Sequence, residues 1–181
     1  MVQTNLNEIK NRIESLKIKE VLWVIGLLVF SRLIPHWPNF TALGATAILA
    51  PRWLNKNKFS LMIPLLALLI SDLIIGFHPF MLFTYSSIFI ISFLSWNSKK
   101  ENLSEGVEIL KWGFGASFIF FLLTNLGSWL LLDMYPKNYS GLMLSYWNGI
   151  PYFFYDSIGT MFYVSLALYL RSKEKIILKE I

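Results

Sequence analysis

Apolar residues come in six blocks along this chain, at roughly Val21 to Ile34, Phe40 to Leu54, Phe59 to Phe77, Phe80 to Trp96, Val107 to Met134 and Ile150 to Leu170. The pieces between them read PHWPN, NKNK, HP, NSKKENLSEG and YPKNYSG, clusters of proline, asparagine, glycine and charge that break helices. A hydrocarbon core about 30 Å thick takes ~20 helical residues to cross. The blocks therefore predict an all-α membrane protein, a six-transmembrane-helix bundle over residues 21–171. The second block is short and ends at Pro51, which makes it the least complete span. Ahead of the bundle, Leu6, Ile9, Ile13 and Leu16 recur at helical spacing among charged residues. Residues 1–20 are expected to lie on the cytoplasmic leaflet as an amphipathic interfacial helix, and residues 172–181 form a basic tail.

Composition agrees with this picture. Of 181 residues, 55% are hydrophobic, 17% aromatic and only 15% charged, against about a quarter charged in ordinary globular domains. The net charge of +5 would suggest nucleic acid if it were gathered on one face. Instead, with the N-terminus inside, all but Arg32 and Lys137 of the 16 Lys and Arg residues fall in the cytoplasmic pieces. The positive-inside rule then puts both termini in the cytoplasm, in keeping with an even number of spans. The basic residues imply the lipid bilayer as partner and no nucleic acid. The absence of cysteine excludes disulfides, thiolate metal sites, iron–sulfur clusters and cysteine nucleophiles.

Orientation gives each polar residue inside a span a depth, and the depths are one-sided. Asp72 lies near the outer end of span three, Asn125 and Asp156 in the outer halves of spans five and six, and His78 in the outer turn between spans three and four. Arg32 and His36 close span one, Asn39 opens span two, and Asp133 ends span five. Ionisable residues within spans are costly to insert, so they face a cavity or a partner. Their clustering predicts a pocket that opens outward. Trp129 and Tyr152, helically placed beside Asn125 and Asp156, add aromatic walls of the kind small-molecule sites use.

Structural readings stand beside the functional ones. Asp72 serves equally as a helix cap or as an ion-pair partner of Arg32, Asn125 and Asp156 as interhelical glue, and His78 and His36 as turn residues. The smooth face of span two, with Ala42, Thr46 and Ala50 at four-residue spacing, suits close helix contact within the fold or with another subunit. Two intramembrane aspartates also raise an aspartyl dyad, and Tyr155-Asp156 supplies the YD pair of one intramembrane protease class. Its GxGD counterpart is missing, with Ser71-Asp72 in its place. No phosphate-cradling loop, HExxH, GxSxG or cysteine–histidine cluster occurs, so neither an enzyme nor a cofactor or metal site is expected.

The stretches RLIPHWPNFTALGATAI, PLLALLISDLIIGFH, FFLLTNLGSWLLLDMYP and GLMLSYWNGIPYFFYDSIGTMFY, in this order and spacing, resemble a bacterial family of small membrane transport proteins. That family is similar to the substrate-binding S-components of energy-coupling factor (ECF) vitamin transporters, and the resemblance covers about Arg32 to Tyr169. It implies a six-helix fold in the bacterial cytoplasmic membrane that captures a micronutrient, a vitamin or cofactor, from outside. It also implies an ECF coupling subunit and ATPases as partners. Carried over by position, the pocket residues are Asn39, Asp72, His78, Asn125, Trp129 and Asp156. The AxxxA coupling motif of S-components has its nearest counterpart in AxxxTxxxA on span two, a departure from the pattern. Relatives include cobalamin transporters, some acting without a dedicated coupling module; a cobalamin here would draw a cobalt ligand from His36 or His78, or have none.

Overall fold

The computed structural model describes residues 21–22, 25–53, 58–98 and 106–180. The amphipathic helix expected over residues 1–20 lies outside them. Among the described residues the chain is helical without strands. Helix α1 takes in residues 25–33, α2 runs over Leu43–Trp53, and a 3-10 turn at Lys58–Leu61 leads into α3, Met62–Ile75. Then follow α4 (Met81–Asn97), α5 (Gly106–Leu131) and α6 (Tyr139–Glu180). Each of the six apolar blocks thus contains a helix.

Two of these helices, over Val107–Leu131 and Tyr139–Ser172, are long and apolar enough to cross a membrane. The segments Phe59–Ile75 and Met81–Asn97 are apolar but shorter. Helix α2 has 11 residues, about 16 Å at 1.5 Å per residue, roughly half a hydrocarbon core. Several boundaries differ from the sequence reading, and α6 continues to Glu180 through the residues read as a basic tail. Pro51 sits inside α2 rather than ending it, and α6 begins at Tyr139 rather than near Ile150 and passes through Pro151. The early start of α6 has a local cause, because Asn138 caps it: its Oδ1 accepts the Gly141 N–H at 2.9 Å and the Ser140 hydroxyl at 2.8 Å. The same turn closes α5, where the Lys137 ammonium donates to the carbonyls of Trp129 (2.5 Å) and Leu132 (2.6 Å), at the end where the helix dipole favours a cation.

Helix α2 is the axis of the bundle. Every residue from Leu43 to Pro51 is buried, and α3, α4, α5 and α6 all pack on it. Its small residues make this possible: a Cβ on Gly44 would collide with the Thr160 hydroxyl of α6. Ala42, Thr46 and Ala50 are themselves buried, so the smooth face is consumed inside the fold and is not open to another subunit. On the far side α4 turns Thr84, Ser87, Ile88, Ile91, Ser92 and Ser95 inward, a helical stripe in which small hydroxyls dominate. Ser95 links the two helices by donating to Ile48 O at 2.5 Å and accepting from Arg52 Nε at 2.9 Å.

The outside is the reverse of the inside. Leu69, Ile70, Leu73 and Ile74 of α3, and Phe89, Ile90, Phe93 and Leu94 of α4, are exposed, while Ser71, Asp72, Ser87 and Ser92 are buried. Water would reward the opposite arrangement, because burial of apolar area is what stabilises a soluble core.

Candidate functional site

Two irregular turns shape one end of the bundle. In the link from α1 to α2, Asn39 has φ 61, the left-handed region that asparagine tolerates better than most residues. This conformation lets Phe40 N–H reach Trp37 O and Thr41 N–H reach Asn39 O, both at 2.9 Å. Between α3 and α4, Gly76 with φ 108 ends the helix by giving its N–H to Asp72 O at 2.9 Å, and the chain then turns through His78 and Pro79. Both turns, the C-terminal half of α5 and the N-terminal half of α6 surround a cavity of about 590 Å³.

Five of the seven expected residues line it: Asn39, His78, Asn125, Tyr152 and Asp156. Asn125 is fixed on α5 by its own amide, whose Nδ2 donates to Phe121 O at 2.8 Å, and it lies directly against Gly149 of α6. Asp156 is 7% exposed, with Ser117 of α5 as its polar neighbour and no ion pair among the described residues. His78 rests on Phe80, ring centroids 4.3 Å apart, with its Nδ1 buried and, among the described residues, without a hydrogen-bond partner. In this turn outside the helices, burial lowers the imidazole from its ordinary 6.5; Asp72 opposes the lowering and Arg32 adds to it.

Asp72 and Trp129 do not line the cavity. Asp72, 1% exposed, lies 2.8 Å through Oδ1 from Arg32 Nη1 and accepts the Tyr85 hydroxyl at Oδ2 at 3.0 Å. The Arg32 contact is an ion pair rather than a directed hydrogen bond, because Nη1 aims its hydrogens at Leu68 O (3.2 Å) and the Ser71 hydroxyl. The aspartate thus ties α1, α3 and α4 together and holds Arg32, which does face the cavity. Trp129 lies one turn past Asn125, where the chain leaves α5, and its indole N–H donates to Pro136 O at 2.9 Å. The tryptophan straps the α5–α6 turn.

The sequence reading missed several lining residues. Asn148 stands four residues before Tyr152 and eight before Asp156, on the same face of α6. The spacing is visible in the sequence, but it lies ahead of Ile150, where the sixth apolar block begins. Thr124 and Ser128 flank Asn125 and carry a weaker signal, since hydroxyls in apolar helices commonly bond their own backbone. They do so here, Thr124 to Phe120 O at 2.7 Å and Ser128 to Thr124 O at 3.0 Å.

His36 also lines the cavity, with Nδ1 2.6 Å from Trp37 O; a carbonyl only accepts, so Nδ1 carries the proton. Among the described residues no group of three His, Asp or Glu converges to hold a metal ion. The wall presents amides, hydroxyls, two imidazoles, one guanidinium, one carboxylate and aromatic rings. No curated protein and no solved structure matches the chain. Residues 14–173 match a family described as a family of unknown function, DUF6580, and the chain belongs to that family.

Proposed function

We propose that this chain is a multi-pass protein of the bacterial cytoplasmic membrane, with six spans and both termini inside, that captures a small micronutrient from outside as a transport protein of S-component type. One observation carries the reading: a cavity of about 590 Å³ at a single end of the bundle, lined by Asn39, His78, Asn125, Tyr152 and Asp156 together. The volume lies within the usual ~300–1,000 Å³ of small-molecule sites. The exposed apolar exterior, the small-residue interior and the one-sided distribution of Lys and Arg support the membrane setting. A cobalamin is much larger than the ligands such cavities enclose, so a smaller vitamin or cofactor fits better. The burial of Ala42, Thr46 and Ala50 argues against docking an ECF coupling subunit through α2; any such contact would use another face.

The purified protein, in detergent or nanodiscs, is expected to gain thermal stability with one solute from a panel of water-soluble vitamins and cofactors. Asn125→Ala should erase that gain without lowering the melting temperature of the unliganded protein by more than a few degrees. If no solute shifts the melting curve and the polar variants simply fail to fold, the cluster is interhelical glue in an accessory protein. That second reading is favoured for Asp72 alone, whose partners all lie within the bundle.

A further inference from the structure

We infer that the solute held in this cavity is a neutral or positively charged molecule that presents paired N–H donors, of amidinium, guanidinium or aminopyrimidine type, to Asp156; this rests on the capture reading above. The wall is biased towards accepting hydrogen bonds. On α5, three neighbouring polar residues direct hydrogens at their own helix: Thr124 at Phe120 O, Asn125 Nδ2 at Phe121 O and Ser128 at Thr124 O. Thr124 and Ser128 are left with hydroxyl lone pairs, and Asn125 with its Oδ1 and one remaining N–H. His36 likewise spends its Nδ1–H on Trp37 O.

Charge points the same way. Arg32 faces the cavity, but its charge is matched by Asp72, and its Nη1 is committed to Leu68 O and Ser71. Among the described residues Asp156 has no ion-pair partner. A carboxylate buried without a cation is costly, and a ligand cation brought to it removes that cost while forming charge-assisted hydrogen bonds. An anionic ligand of the same shape would meet the carboxylate and the outward lone pairs as repulsion. Asn39, Asn148, Tyr135 and Tyr152, which can donate or accept, complete the fit without reversing the bias.

Three probes of one shape but different charge and donor content test the inference on the full chain in nanodiscs: benzamidinium, benzamide and benzoate. At equal concentration benzamidinium should raise the melting temperature most, benzamide less, and benzoate not at all. Asp156→Asn should weaken the benzamidinium response about 10- to 100-fold in concentration, the worth of a hydrogen bond to a charged group. Stabilisation by benzoate equal to that by benzamidinium, or an unchanged benzamidinium response in Asp156→Asn, overturns the inference and leaves the capture reading standing. Should Asp156→Asn fail to fold, the order of the three probes on the unmodified chain decides. If none of the three acts but a vitamin or cofactor does, an anionic responder overturns the inference and a cationic or amino-heteroaromatic one supports it. Silence from every solute overturns both readings.

Discussion

Asn125 of α5 packs against the bare backbone of Gly149 on α6, with no room for a methyl group between them: a Cβ at position 149 would lie 2.6 Å from Asn125 Nδ2. Close to this crossing, Ser145 donates to Asn125 O and Tyr146 to Leu122 O, both at 3.1 Å. The two longest helices are thus locked together beside the amide that faces the cavity.

Gly149→Ala should therefore act on the site more than on the fold. Moving the Asn125 side chain off its Phe121 contact is expected to cost about 1–3 kcal/mol of stability, the usual range for overpacking. Binding measured on the folded variant should fall as far as in Asn125→Ala. A Gly149→Ala protein with full solute response would show that Asn125 is not held for binding.

The ion pair of Arg32 and Asp72 predicts asymmetric mutants. Asp72→Ala strands a guanidinium that is only 15% exposed, a change that costs about 3–5 kcal/mol at buried pairs. Replacing both residues, Arg32→Met with Asp72→Leu, should recover most of that loss, whereas Tyr85→Phe, which removes one hydrogen bond, should cost about 1 kcal/mol. Unfolding midpoints of the four proteins give the comparison, and a double variant no more stable than Asp72→Ala would contradict it.

At Asn39 the backbone and the side chain can be separated. Asn39→Gly keeps access to φ 61 and removes the amide, while Asn39→Ala removes the amide and adds about 1–2 kcal/mol of left-handed strain. Both should weaken solute binding alike, and the alanine protein alone should melt earlier. Equal melting temperatures would mean that the turn relaxes in the variant.

His78 links stability to pH. Its folded value lies below its ordinary 6.5, so as pH falls through 6.5 the unfolded chain takes up the proton first. The stability held above pH 6.5 is expected to decline from there towards the folded value, and His78→Gln should flatten that part of the curve. An identical pH profile for the two proteins would remove His78 as the cause.

Much of this molecule can be read along the chain. Apolar blocks divided by breaker clusters announce six helices, because each apolar segment must satisfy its own backbone, and the polar residues at alternate ends of those blocks announce a cavity at one end. Asn39, His78, Asn125, Tyr152 and Asp156 were legible for that reason: depth follows from position in a helix. Pairing does not follow from depth. That Asp72 would turn to Arg32 and Tyr85, that Trp129 would strap a loop, and that the smooth face of α2 would be enclosed by four other helices depends on how the helices rotate and cross. Those rotations are set by contacts between distant segments, such as Gly44 with Thr160 and Gly149 with Asn125, which one-dimensional spacing cannot encode.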